Sequence, residues 1–333
     1  MTRRLFAGID GGGTKTHFVL VDQDATLIAE HCGGSSYHLQ IGLDGVQSVL
    51  DEGLAAVTAQ AGITPDQIEF AFFGLPAFGE DSVIDPVLAR IPAQILGHTR
   101  YRCGNDMVCG WAGSLGGADG ISIVAGTGSI GYGERQGASA RAGGWGEAFG
   151  DEGSAFWVAV QGLNAFSRMS DGRLSRGPLY DAFRSHFGLT SDFDICGRIM
   201  GDAALPRDQI ATLSKVVAAA ALAGDEVAMA IYDRAGHELA LVTDAIHAAL
   251  GFDDNEPVAV SYSGGLFAAN ELVRRPFATQ LERLGKKFTL LIPKFSPSQG
   301  AALLAILGPV RMSCPRPPVK ASSASDSANS GLA

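Results

Sequence analysis

Residues 6–21 hold the sequence feature that most restricts the fold. An apolar run ends at Asp10, residues 11–14 are Gly-Gly-Gly-Thr, and a second run over residues 16–21 is rich in β-branched and aromatic side chains. Side chains of the second run alternate between two faces, which is the periodicity of a strand and not of a helix. The predicted order is therefore strand, glycine turn, strand.

This order restricts what the glycines can do. A dinucleotide fingerprint or a Walker A loop requires a helix that begins at the last glycines, and neither motif is present. A glycine hairpin can instead expose successive backbone N–H groups to an anion, with Asp10 near the phosphates to hold a metal ion. An ordinary tight hairpin is the alternative that the residues alone leave open.

The same design occurs a second time at residues 120–133, where the turn Gly-Thr-Gly-Ser occupies residues 126–129. Two such hairpins about one domain apart predict two similar lobes that face each other, with a boundary near Gly116 and Gly117. Strands alternate with helices between the hairpins, which predicts an α/β fold. A third glycine turn, at residues 263–265, joins a predicted strand to a helix.

Composition excludes several classes of protein. The chain has 333 residues, of which 46% are hydrophobic, and its length predicts two domains. A net charge of −10 excludes a nucleic-acid partner, because no basic stripe is available to neutralise phosphates. Five scattered cysteines predict reduced thiols in a cytoplasmic protein, and the longest apolar run is too short for a membrane span. Residues 312–333, rich in Pro, Ser and Ala, are predicted to be disordered.

Taken together, the separated motifs resemble the actin, Hsp70 and sugar-kinase superfamily. The two hairpins resemble its two phosphate motifs, residues 263–265 its adenosine turn, and residues 300–307 its closing helix. Within it, the chain resembles most the N-acetylglucosamine kinase branch of the BadF/BadG/BcrA/BcrD ATPase family. That likeness is carried by Asn105-Asp106, by Gly-Gly-Trp-Gly at residues 143–146, and by Gly-Asp-Glu-Gly-Ser-Ala-Phe-Trp at residues 150–157.

The resemblance implies an α/β, two-lobed actin-like ATPase (ribonuclease H-like) fold with an interdomain cleft. Residues 1–116 would form the N-terminal lobe, completed by a returning helix at about residues 297–308, and residues 117–296 the C-terminal lobe. It implies an ATP-dependent kinase that phosphorylates a hydroxyl, the 6-OH, of an amino sugar such as N-acetylglucosamine or glucosamine. It leaves a homodimer open and implies no membrane partner.

The resemblance also implies roles for individual residues. Asp106 would be the general base, although an Asp before Met107 could instead cap a helix. Asp10 would hold Mg²⁺ or, alternatively, cap the hairpin amides. The ATP-binding residues would be Gly11, Gly12, Gly13, Thr14, Lys15, Gly126, Thr127, Gly128, Ala211, Gly264, Gly265 and Ala269. The sugar-binding residues would be Ser36, Tyr37, Asp106, Ser129, Gly144, Trp145, Gly146 and Asp151.

Two departures from the family pattern affect the choice of sugar. Tyr37 stands where the animal enzymes have an Asn that helps hold the sugar, and Ala142 stands where they have a Cys. Glucosamine, N-acetylglucosamine and a cell-wall amino sugar therefore remain candidates. The competing functions are an ATPase that activates a radical enzyme, which needs cysteines for an iron–sulfur cluster, and a non-catalytic sensor of sugar or ATP.

Overall fold

The computed structural model describes residues 3–201, 204–269 and 271–312, and every structural statement below concerns those ranges. Residues 313–333, which make up most of the tail predicted to be disordered, lie outside the described residues. Within the described ranges, no helix combines the length and the apolar character needed to cross a bilayer.

The first sheet is built on the predicted hairpin. It consists of β1 (Leu5–Asp10), β2 (Thr16–Asp22), β3 (Leu27–Gly33), β4 (Phe70–Leu75) and β5 (Tyr101–Asn105). The strand order is β3-β2-β1-β4-β5, with β1, β2 and β3 antiparallel and β1, β4 and β5 parallel. Because parallel strands end at the same edge, the residues that follow β1, β4 and β5 lie close together.

The second sheet repeats this topology. Its strands are β6 (Gly120–Ala125), β7 (Ser129–Arg135), β8 (Ala138–Gly143), β9 (Val258–Ser263) and β10 (Phe288–Leu291). The order is β10-β9-β6-β7-β8, again with one antiparallel hairpin pair and parallel strands on the other side of the first strand. The two glycine hairpins, β1–β2 and β6–β7, thus occupy equivalent places in the two sheets.

Helices cover both sheets. The first half contains α1 (His38–Ala61), a 3₁₀ turn (Pro65–Gln67), α2 (Asp85–Leu88), α3 (Ile91–Leu96) and α4 (Asp106–Leu115). The second half contains α5 (Ala155–Ser170), α6 (Pro178–Phe187), α7 (Asp194–Met200), α8 (Arg207–Thr212), α9 (Ser214–Leu222), α10 (Glu226–Ala249), α11 (Gly265–Ala269), α12 (Glu271–Arg283) and α13 (Pro297–Met312).

Helices α4 and α13 pack between the two sheets. α13 returns to the first sheet so closely that a Cβ on Gly8 would lie 2.3 Å from the backbone nitrogen of Ala302. The buried apolar cluster around these helices includes Trp111 of α4 and Tyr132 of β7, whose ring centroids are 5.9 Å apart. The N-terminal sheet, its returning helix and the C-terminal sheet are therefore joined by one apolar layer, which fixes the bases of the two hairpins.

Candidate active site

The first glycine turn needs small residues because it is crowded. The amide of Gly11 donates a hydrogen bond of 2.8 Å to the carbonyl of Gly74 at the end of β4, and a Cβ on Gly11 would lie 2.4 Å from Ser36 Oγ. None of Gly11, Gly12 and Gly13 takes a left-handed φ. Their lack of a side chain thus serves close approach, while Gly13, Thr14 and Lys15 remain exposed to a ligand.

The loop after β3 packs directly on this turn. The carbonyl of Gly12 accepts hydrogen bonds from the amide of Ser36 and the hydroxyl of Ser35, both at 3.2 Å. The Ser36 hydroxyl is buried and has no partner among the described residues. Ser36 thus lies beneath the turn, and Tyr37, the next residue, lines the cleft between the lobes. The predicted phosphate turn and this predicted sugar loop form one unit.

The second glycine turn is held against the start of α5. The amides of Ala155 and Phe156 donate to the carbonyls of Gly126 and Thr127, at 2.9 and 3.2 Å. Ser154 caps the helix by accepting from the amide of Trp157 at 3.1 Å. The turn therefore cannot shift without α5. Thr127 is exposed at its tip, as Thr14 is in the first turn.

The third glycine turn lies beside the second. Gly264 has φ = 100°, and a Cβ there would lie 2.4 Å from the carbonyl oxygen of Ala125, the last residue of β6. Only glycine fits this approach without strain. Gly265 begins α11, which ends at Ala269, whereas Ala211 is buried in α8. The structure thus brings Gly264 and Gly265 next to the second hairpin.

Two carboxyl groups lie at the carboxyl edge of the first sheet. Asp10 ends β1, and Asp106 follows β5 as the first residue of α4. Burial and the neighbouring Asp106 raise the pKa of Asp10 to about 7, against a smaller lowering by Lys15. Burial, followed by the charge of Glu80, raises the pKa of Asp106 to about 6, although the amides that begin α4 oppose the shift.

Asp106 does not cap α4. The N-cap is Asn105, whose Oδ1 accepts from the amide of Met107 at 3.1 Å and whose side-chain nitrogen donates to the carbonyl of Phe78 at 3.1 Å. The alternative interpretation of Asp106 as an N-cap residue is therefore wrong. Asp106 is instead the first residue within the helix, where the amides of Asp106 and Met107 lower the pKa of its carboxyl group.

An open cleft of about 810 Å³ lies between the lobes. Asp106 and Asp10 do not line it directly; Glu80 and Arg141, which do line it, act on the pKa of Asp106. The cleft brings together these predicted sugar ligands: Tyr37, Ser129, Gly144, Trp145, Gly146 and Asp151.

The glycine loop between β8 and α5 forms one wall of the cleft. Gly143, Gly144 and Gly146 all have φ between 69° and 88°, a backbone conformation that other residues rarely adopt. Trp145 stands between them with 71% of its surface exposed. The loop thus holds a large aromatic side chain at the cleft without burying it.

Asp151 has a partner that the sequence did not suggest. The residue is buried, and its Oδ2 accepts from Arg207 Nη2 at 2.6 Å, while Arg207 Nε lies 3.0 Å from Glu147 Oε2. Arg207 begins α8 and lies 56 positions from Asp151 in the chain. The nearby Ser129 hydroxyl donates to the carbonyl of Glu152 at 2.7 Å, so its proton is already used.

Another ion pair, between Arg141 and Glu80, joins the two sides of the cleft. Arg141 Nη1 of β8 lies 2.6 Å from Glu80 Oε1, in the segment between β4 and α2, and Arg141 Nη2 donates to the carbonyl of Gly144 at 2.7 Å. Sequence reasoning missed both residues. Isolated charges in loops and strand ends are usually solvated, and only the fold brings these two together.

No group of three or more His, Cys, Asp or Glu side chains in the described ranges is arranged as a metal cluster. Of the described cysteines, Cys103 and Cys109 lie near the carboxyl edge of the first sheet. Burial raises the pKa of Cys103 to about 12 and that of Cys109 well above its ordinary value. Both thiols are therefore protonated at neutral pH.

Comparison with known proteins identifies the family. The BadF/BadG/BcrA/BcrD ATPase family matches residues 7–305, nearly the whole described chain. The chain belongs to this family. The expected α/β, two-lobed actin-like ATPase fold is confirmed, because the chain, with its two sheets of repeated topology, superposes over most of its length on solved structures that include a ROK family glucokinase from Streptomyces griseus (TM-score 0.54, 16% identical, covering 92% of this chain and 99% of that one).

Individual relatives of this BadF/BadG family member are named as amino-sugar kinases. N-acetyl-D-glucosamine kinase of Dictyostelium discoideum is 28% identical over 92% of this chain and 99% of its own length. N-acetylmuramic acid/N-acetylglucosamine kinase of Clostridium acetobutylicum is 28% identical over 90% of this chain and 97% of its own. The crystal structure of a provisionally named N-acetylglucosamine kinase from Chromobacterium violaceum is 30% identical, with a TM-score of 0.69 over 91% of this chain and 99% of that one.

Proposed function

We propose that this BadF/BadG family member is an ATP-dependent kinase that phosphorylates a hydroxyl, the 6-OH, of an amino sugar, either N-acetylglucosamine or glucosamine. The observation that carries the proposal is the cleft lined by Gly128 of the second glycine turn and by Tyr37, from the loop that packs on the first turn. The charge of Glu80, another lining residue, acts on the partly buried carboxyl group of Asp106. Relatives that match over their whole length and are named amino-sugar kinases support the substrate class. The ATPase family supports ATP as the phosphoryl donor.

Phosphoryl transfer requires positioning and charge stabilisation more than covalent chemistry. In the proposed step, the Asp106 carboxylate accepts the proton of the sugar hydroxyl while the oxygen of that hydroxyl forms a bond to the γ-phosphorus of ATP. The bond between that phosphorus and the β–γ bridging oxygen breaks, and ADP leaves with the electron pair. The exposed ends of the two glycine turns, at Thr14 and Thr127, would hold the phosphates.

Asp10 is the proposed ligand of Mg²⁺. Its carboxyl group is partly buried and close to that of Asp106, so that without a cation its charged form is disfavoured and its pKa rises to about 7. Carboxylate oxygens near phosphates suit Mg²⁺, which keeps several waters and takes one or two protein carboxylates. The ion would supply positive charge to the transferring phosphoryl group.

The sugar would lie against Asp151 and the glycine loop. A carboxylate can accept two hydroxyl hydrogen bonds, and Arg207 donates to Oδ2 of Asp151. Arg207 thus fixes the carboxylate while the other oxygen is available to the sugar. Trp145 offers a flat apolar surface of the kind that sugar rings contact.

A panel of sugars tests the proposal. Coupled measurement of ADP production with glucosamine, N-acetylglucosamine, N-acetylmuramic acid, N-acetylmannosamine and glucose should show the highest kcat/KM with one of the first two. A protein that binds one of these sugars but transfers no phosphate to it would be a sensor, and the kinase proposal would then be wrong. A homodimer and a cytoplasmic location remain predictions.

A further inference from the structure

The Glu80–Arg141 ion pair joins the two lobes at the cleft. Glu80 comes after Gly79, whose φ of 90° turns the chain, and belongs to the N-terminal lobe. Arg141 belongs to β8 of the second sheet. Their charged atoms are 2.6 Å apart although the residues are 61 positions apart in the chain. The pair therefore spans the space that a sugar must enter.

The guanidinium group of Arg141 makes two separate contacts. One arm of the guanidinium meets Glu80, and the other donates to the carbonyl of Gly144, next to Trp145. A guanidinium is planar and rigid, so a contact made by one arm restricts the position of the other. The ion pair with Glu80 that joins the two lobes therefore also restricts the position of the glycine loop.

The strength of the pair suits a contact that must open and close. The two side chains keep 28% and 39% of their surface exposed, so solvent screens their attraction. Exposed ion pairs contribute little to stability, so the contact can break when substrate enters. A fully buried pair in this position would resist opening.

We propose that Glu80 and Arg141 form a charged clasp that closes the cleft over the sugar and fixes the loop of Gly144 and Trp145 against it. Both are positioning residues, because they act through the loop and the lobes. The kinetic consequence of the clasp rests on the proposed function, whereas its mechanical consequence does not.

Spin labels on the protein's own cysteines test the mechanical consequence. Cys32 of β3 and Cys196 of α7 are exposed, one in each lobe, whereas Cys109 is buried and Cys103 is partly exposed. Replacing Cys103 and Cys314 with Ser leaves two reactive sites. The mean distance between the two labels should lengthen, or its distribution should broaden, in Glu80→Gln and in Arg141→Gln. The same change is expected in the otherwise wild-type protein at about 1 M salt, where the Debye length of about 3 Å weakens the attraction between the two charges.

The matched control is the pair Arg135–Glu256, which is 2.7 Å long and likewise partly exposed but belongs to the second lobe alone. Glu256→Gln should leave the distance between the labels unchanged. If Glu80→Gln and Arg141→Gln also leave it unchanged, the clasp does not exist. A changed distance in a protein that phosphorylates no sugar would uphold the clasp and reject the kinase.

Kinetics test the second consequence. Glu80→Gln and Arg141→Gln should each raise the KM for the sugar roughly 3- to 10-fold and leave the KM for ATP within about 2-fold, with the double variant no worse than the worse single one. Arg141→Lys, which keeps the charge but not the fork, should restore the distance between labels without restoring the sugar KM. Additive effects in the double variant would show that the two residues do not act as a pair.

Discussion

At the scale of the residue, the proposed chemistry depends on one partly buried carboxyl group, that of Asp106. Replacing Asp106 with Asn keeps its size but removes the base, so kcat should fall roughly 10²- to 10⁴-fold, the usual contribution of a positioned base. Steady-state kinetics with saturating sugar and ATP measure this loss. Asp51→Asn, at an exposed position of α1, is the control and should keep full activity. A folded Asp106→Asn protein with wild-type kcat would exclude the assignment.

The pH dependence follows from the environment of the same group. Burial and Glu80 raise the pKa of Asp106 to about 6, and a base acts only when it is deprotonated. The kcat/KM for the sugar should therefore fall as pH drops below about 6, with a slope of one in log kcat/KM against pH. Circular dichroism at each pH controls for unfolding. A profile that is flat down to pH 4.5 would contradict the pKa.

Asp10 should reduce the stability of the metal-free protein. Its folded pKa of about 7 exceeds the unfolded value of about 4, so the stabilising contribution of its protonated form is complete below pH 4 and is lost as pH rises through 7. Asp10→Asn should therefore raise the free energy of unfolding at pH 8 by up to about 4 kcal/mol and leave it unchanged at pH 4. Urea titrations in EDTA at the two pH values measure this. Equal stability of both proteins at pH 8 would contradict the prediction.

What the sequence could supply at this scale depended on local patterns. Asp10 ends an apolar run that is visible in the sequence. Asp106 follows β5, which is not apolar, and is marked in the sequence only by the family resemblance. Arg207 and Arg141 find their partners 56 and 61 positions away, and no local pattern marks them. Likewise, nothing in the residue types shows that Asn105, and not Asp106, caps α4.

At the scale of the element, hairpins and caps were predictable because their causes are local. Ser296 and Gln299 form the reciprocal bonds of a capping box at the start of α13. Residues 207–222, by contrast, do not form one continuous helix but α8 and α9, which meet at Leu213. No glycine or proline marks that break, so packing against neighbouring helices must decide it.

The contact of α4 with the segment that precedes α13 permits a test by two glycines of one helix. A Cβ on Gly113 would lie 2.4 Å from the carbonyl oxygen of Ser296, whereas a Cβ on Gly110 would meet only Val124, at 4.0 Å. Gly113→Ala should lower the free energy of unfolding by about 1–3 kcal/mol, because backbone atoms must move apart. Gly110→Ala should leave it unchanged or raise it by up to about 1 kcal/mol, since alanine favours helix. The midpoints of urea unfolding of the two variants test this prediction. Equal losses of stability would show that α4 and the segment before α13 do not approach this closely.

At the scale of the whole molecule, function requires two lobes to act on one small volume. The repeated topology places a glycine hairpin on each side, and α4 and α13 link the sheets behind them. Water left beside the γ-phosphate would be a competing acceptor, so the cleft must close around the sugar before transfer. The glycine loop of residues 143–146 is the part of the cleft wall best suited to this movement, because its backbone angles are those that only glycine adopts freely.

That loop yields a prediction about coupling between ATP use and sugar phosphorylation. Gly146 has φ = 88° and open space where a Cβ would be, so Gly146→Ala introduces backbone strain of about 1–2 kcal/mol and no clash. The strain should favour other loop conformations, raise the sugar KM several-fold and increase the ratio of ADP formed to sugar phosphate formed. Gly137→Ala is the matched control: φ is 82°, the space is equally open, and the turn between β7 and β8 lies outside the cleft lining. Gly137→Ala should lose as much stability as Gly146→Ala but leave the ratio of ADP formed to sugar phosphate formed unchanged. If both variants behave alike, the loop does not govern closure, and water is excluded by the lobes themselves.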